Sequence, residues 1–182
     1  QNQVRVTADV MFGLHEQSRD ELVEDVRALV AEGADHLSCY ALTIEPATRF
    51  GELARKGRLP RLPDDEVASL YEAIESTLDR EGLAHYEVSN YARPGQRSEH
   101  NLAYWRQEQW LAAGPSASGH VWAGQSMRSG GWRWKNSPRL GDYLAGGSGG
   151  AGSGGFSPVA DAEAPDPARA VRERLMTGLR LA

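Results

Sequence analysis

The chain has 182 residues, 40% of them hydrophobic and 25% charged, with a formal net charge of -5, so it is long enough to bury a core and polar enough to stay in water. The acidic balance argues against nucleic acid or an anionic membrane surface as the main partner, because both select basic faces. No apolar run approaches the ~20 residues of a membrane helix, the N-terminus is unlike a signal peptide, and the single cysteine, Cys39, excludes an internal disulfide; together these point to the cytoplasm.

Val4 to Phe12 is β-branched and apolar and ends at Gly13, which predicts a buried strand that stops at a turn. Ser18 with Glu21 three positions on forms a capping box. The stripe Leu22, Val26, Leu29, Val30 follows at helical spacing, and Gly33 supplies the stop. His36 to Thr43 is a second apolar run, so the segment reads as a βαβ unit with a parallel sheet. Pro60 and Pro63 punctuate a loop, and Asp64 and Asp65 open a helix with the stripe Val67, Leu70, Tyr71, Ile74, Leu78, ending at Gly82. Leu83 to Val88 is a third strand candidate. From Asn90 onward, glycines and prolines among aromatic residues predict turns and short antiparallel strands. The Gly/Ser-rich run at 146–155 reads as a flexible connection. Beyond it, Asp166 and Pro167 take the cap and first-turn positions of a last helix. Its apolar pattern Val171, Leu175, Met176, Leu179 is still running at Ala182, and the chain opens on Gln1 directly before a strand; both suggest a piece of something longer.

Several residues carry chemical potential. Asp9 lies inside an apolar strand near its C-terminal end, where α/β folds place ligand-binding groups; a structural aspartate bonded to a loop amide weighs equally. His100-Asn101 followed by Tyr104-Trp105-Arg106 gathers an imidazole, an amide, two large aromatics and a guanidinium within seven residues. Such a cluster suits haem iron or a flat, acidic molecule, and equally an aromatic turn plug. His15, His36, His85 and His120 have no zinc-site spacing and read as structural or surface residues. Cys39, mid-strand between apolar neighbours, reads as a small hydrophobe. Glu45-Pro46 and Gly114 to Gly119 are small-residue loops that allow a ligand close to the backbone.

Four stretches in order carry a resemblance: Asp9-Val10-Met11-Phe12-Gly13-Leu14-His15-Glu16-Gln17, Leu37 to Pro46, Tyr86 to Gly95, and His100-Asn101-Leu102-Ala103-Tyr104-Trp105-Arg106. Over nearly its whole length the chain resembles the radical S-adenosylmethionine family that contains the haem chaperones and the oxygen-independent coproporphyrinogen III oxidases. Leu42 to Pro46 and the His-Asn…Tyr-Trp-Arg cluster are similar to the chaperone branch, with the oxidase branch as the alternative and an inactive remnant or binding module as a third. The resemblance implies an α/β fold: the second half of a partial parallel βα barrel (residues 1–90), a mixed extension with the His-Asn-x-x-Tyr-Trp motif (91–145), a linker (146–155) and the start of a C-terminal helical domain (156–182).

By the same resemblance, Asp9, Thr43 and Ser118 match positions that hold S-adenosylmethionine, and His100 matches a candidate axial haem ligand. Family members begin with a C-x3-C-x2-C loop that binds a [4Fe-4S] cluster. This sequence contains none, so it is expected to be inactive alone. The implied partners are haem or porphyrinogen, the missing half of the barrel and haem-receiving proteins. His15 stands where the family usually has proline, and Ser118-Gly119 where the chaperone branch tends to have histidine and serine.

Overall fold

Alternation sets the first strand: in β1, Thr7–Phe12, every second residue points to one face, so Val10 and Phe12 are buried while Thr7, Asp9 and Met11 are exposed. The computed structural model describes residues 4–125, 129–146 and 159–181, which fall into two units dividing between Ser98 and Glu99. The Gly/Ser-rich connection read at 146–155 lies, apart from Gly146, outside the described residues.

In the first unit β1 is followed by α1, Arg19–Ala31. Its capping box is present: Glu21 N donates to Ser18 Oγ at 3.2 Å and Ser18 N donates to Glu21 Oε2 at 3.0 Å, and the bonds that the Glu21 carboxyl accepts from Ser18 N and from the Ser18 hydroxyl hold it below its ordinary pKa. Gly33, at φ +98, ends the helix in the left-handed conformation that glycine adopts without penalty. Then come β2, His36–Ala41, α2, Arg49–Arg55, α3, Asp64–Arg80, β3, Ala84–Glu87, and β4, Asn90–Ala92. The sheet order is β1-β2-β4-β3.

Only β1 and β2 are parallel; β4 is antiparallel to both β2 and β3. The parallel sheet read from the sequence is therefore confined to one pair. The physical reason is the connection: Val88 and Ser89 alone join β3 to β4, and two residues can close only an antiparallel hairpin. The change of texture read at Asn90 thus begins inside the first unit.

The helices α1 and α3 cover one face of this sheet. Leu22, Val26 and Val30 of α1, Leu70, Ile74 and Leu78 of α3, and Val10, Phe12, Leu37, Cys39 and Tyr91 of the strands form the core, each large side chain contributing about 1.5–3 kcal/mol by burial. α2 carries no stripe; it is nucleated by Thr48, which accepts from Gly51 N at 3.1 Å and donates to Glu45 O at 2.7 Å. Gly51 is buried against the Glu45 and Pro46 carbonyls, leaving no room for a Cβ.

The second unit contains α4, Glu99–Trp105, β5, Ser118–Trp122, β6, Gly131–Asn136, α5, Leu140–Gly146, β7, Val159–Glu163, and α6, Pro167–Gly178. The strands form an antiparallel sheet in the order β5-β6-β7. At the head of α6, Asp166 accepts from Ala168 N at 2.9 Å and Arg169 N at 3.1 Å, with Pro167 in the first turn, as a cap requires.

Candidate functional site

The face of the first sheet turned away from α1 and α3 is polar. Register places Asp9 opposite Ser38, Ser38 opposite Asn90, and Asn90 opposite Glu87, so one polar row crosses all four strands. Asp9, at one end, is exposed, and its carboxylate escapes the cost of burial that an apolar strand suggests. Glu87, at the other end, is fully buried. Its Oε1 accepts from Ser89 N at 3.0 Å and from Asn90 Nδ2, while Glu87 Oε2, Asn90 Oδ1 and the neighbouring His36 Nδ1 are out of solvent and unpaired. Thr43 is exposed beyond the end of β2, five positions past Asp9's register partner Ser38, so it does not lie beside Asp9.

His36 is buried, with Nε2 2.8 Å from Tyr86 Oη. That oxygen also accepts from Ser98 N at 3.2 Å. Burial lowers the His36 pKa against the opposing pull of Asp9 and Glu87, and burial likewise lowers that of His120 in the second unit. Below about pH 6.5 the unfolded chain takes up protons that these rings refuse, so stability is expected to fall as pH drops through that value and to level off below the folded pKa. Thermal melts between about pH 7.5 and 5.5 check this, and His36→Gln should flatten the slope.

Cys39 sits in the core, and burial first, then the charge of Asp9, push its thiol up to about 12. Cluster binding needs several accessible thiolates. This chain's one buried thiol does not fit a [4Fe-4S] cluster.

In the second unit the rings form a continuous chain. His100, exposed on α4, meets Tyr104 edge-on at 4.8 Å; Tyr104 meets Trp110 at 4.5 Å; Trp110 meets His120 at 4.8 Å. A backbone bridge between Trp110 and His120 fixes the far end, with both N–H···O bonds at 2.9 Å, and His120 Nδ1 donates to Glu108 O at 2.8 Å. Ser118 exposes its side chain while its carbonyl accepts from Trp110 Nε1 at 3.0 Å. His100 and Ser118 are thus linked through Trp110, whereas Asp9 and Thr43 belong to the first unit.

Beside this chain of rings lies a cavity of about 430 Å³ whose walls include Tyr104, Trp105, Trp110, Ser118, Trp134 and Thr177. The contributions of Trp134 and Thr177 are not apparent from the motifs, because β6 and α6 reach the cavity only through the fold. Among the described residues, no group of three or more His, Cys, Asp or Glu side chains is placed to hold a metal ion, and no helix is long and apolar enough to cross a membrane.

No protein-family model matches the chain. Over 116 residues it is 43% identical to the heme chaperone HemW of Mycobacterium tuberculosis, a stretch that is 64% of this chain and 30% of that protein. The segment is homologous to heme chaperones named HemW. The HemW of Bacillus subtilis is 38% identical over 116 residues (64% of this chain, 31% of that protein), and the HemW of Escherichia coli is 41% identical over 114 (62% and 29%). The chain therefore spans about 30% of the length of the HemW relatives it matches. Its fold matches coproporphyrinogen III oxidase (HemN) from Escherichia coli, a radical SAM enzyme, with a TM-score of 0.66 at 13% identity, covering 96% of this chain and 40% of that one. HemW and HemN thus mark, respectively, a likeness in sequence and a shared fold.

Proposed function

We propose that the chain is a segment of a radical SAM haem chaperone and supplies part of its haem-binding surface, with His100 as axial ligand to the iron. The observation that carries this is the position of His100: an exposed imidazole braced edge-on by Tyr104 at the head of a chain of rings. An accessible imidazole is a common iron ligand, and the HemW likeness supports haem as the cargo. The first unit is then a later part of the parent's partial βα barrel, with its parallel β1-β2 pair continuing the barrel sheet and the β3-β4 hairpin added to it antiparallel. Asp9 holds S-adenosylmethionine there, its exposed carboxylate suiting the ribose hydroxyls or the ammonium group, and Thr43, beyond the end of β2, is a separate contact that only the family resemblance supports. The [4Fe-4S] cluster belongs to the rest of the parent, which acts in the cytoplasm with haem-receiving partners. Oxidative decarboxylation of a porphyrinogen is the second reading, favoured by the likeness to HemN in fold.

Titrating haem into the chain and into His100→Ala tests the ligand assignment. The wild type is expected to give the Soret band of a histidine-ligated haem, and the variant a shifted band and weaker binding. Identical spectra would remove His100 from the iron.

A further inference from the structure

The cavity of the second unit falls in the size range of small-molecule pockets. Register sets Ser118 of β5, Lys135 of β6 and Asp161 of β7 in one row across the three strands. Residues directly opposite one another share a face of the sheet, and all three of these line the cavity with exposed side chains. The other charges in its wall are matched to a partner: Arg133 forms a bidentate pair with Glu173, and Glu163 meets Arg169 at 3.0 Å. Lys135 and Asp161 are the exception. Opposite charges set face to face across a sheet ordinarily pair, yet among the described residues neither of these two forms an ion pair. A cation and an anion thus stand side by side, each open to a solute. Beside the row are rings. Trp110 Nε1 donates to Ser118 O at 3.0 Å, which seats the indole next to Ser118 and uses its one donor, and Tyr104 packs against that indole with centroids 4.5 Å apart.

We propose that this cavity binds the zwitterion of an aromatic α-amino acid. Its ring packs on Trp110 and Tyr104, its carboxylate pairs with Lys135 Nζ and accepts from the Ser118 hydroxyl, and its ammonium pairs with Asp161. The charges select this class. An aromatic acid without an amine brings its anion up to the unpaired Asp161, and an aromatic amine without a carboxylate brings its cation up to the unpaired Lys135; only a ligand carrying both charges answers both residues. Nothing in this assignment depends on haem or on iron ligation at His100.

The test titrates L-phenylalanine into the 182-residue chain and reads the change in tryptophan emission. Three analogues separate the contacts: 2-phenylethylamine lacks the carboxylate, 3-phenylpropionate lacks the ammonium, and L-alanine lacks the ring. Saturable binding of L-phenylalanine is expected, with each analogue about fivefold to tenfold weaker. Lys135→Met should remove the advantage of L-phenylalanine over 2-phenylethylamine, and Asp161→Asn its advantage over 3-phenylpropionate. Both positions are exposed on strands, so the variants are expected to fold, and far-UV circular dichroism checks that they do. Absence of a saturable change with L-phenylalanine overturns the assignment. So does equal affinity for L-phenylalanine and all three analogues, or an unaltered ranking of the ligands in both variants. The result for His100→Ala with haem is read separately and bears only on the iron ligand.

Discussion

Leu37→Ala is expected to destabilise the chain by about 2–5 kcal/mol. Leu37 is fully buried at the centre of β2, opposite Ala8 on one side and Tyr91 on the other, and its side chain fills the core shared with α1 and α3. Truncation loses the transfer free energy of the removed atoms and leaves a cavity between two helices and a paired strand, none of which can close in without breaking register. Urea unfolding followed by far-UV circular dichroism reads this as a lower midpoint. Cys39, two positions along the same face, provides the control. Its thiol is buried and protonated, so Cys39→Val should change stability by less than about 1.5 kcal/mol. A large loss there would show that the thiol does something other than pack.

Glu87→Ala is expected to lower stability by roughly 2–4 kcal/mol, because it strands the buried Asn90 amide and the partly buried Ser89 N–H at once. Ser89 N and the Asn90 amide both donate to Glu87 Oε1, and these bonds bind the two-residue turn that folds β4 back between β2 and β3. Glu87→Gln keeps the acceptor and should recover most of the loss. If Gln proves as harmful as Ala, the free oxygen Oε2 matters more than the turn. In either case the Tyr86-Glu87-Val88-Ser89-Asn90 stretch, which carries part of the family resemblance, also has a structural role in reversing the chain.

What could be read in advance follows from how local the determining forces are. The capping box at Ser18 and Glu21, the stop at Gly33 and the stripe Leu70, Ile74, Leu78 depend on neighbours within a few turns, and all are present as read. The short helices α2, α4 and α5 were not legible, since seven residues leave too little room for an apolar period. Nor was the reversal of β4, because the run from Leu83 shows apolar character but not direction. Asp9 read as a residue in an apolar strand, yet period-2 alternation alone puts it on the face opposite Val10 and Phe12, where it is exposed. In the second unit His100 was legible as part of a dense motif. Its link to Ser118 was not: that runs through Trp110, whose position depends on the backbone bridge to His120. The cavity residues Trp105 and Thr177 lie on helices separated in sequence by all three strands of the sheet, and no spacing rule joins them.

Equilibrium dialysis of haem against the purified chain decides whether this segment carries a haem site. Saturable uptake of about one haem per chain is expected, with a Kd in the micromolar range or below, a binding free energy of about 8 kcal/mol or more. Uptake that never saturates, or that a heat-denatured sample reproduces, would contradict it.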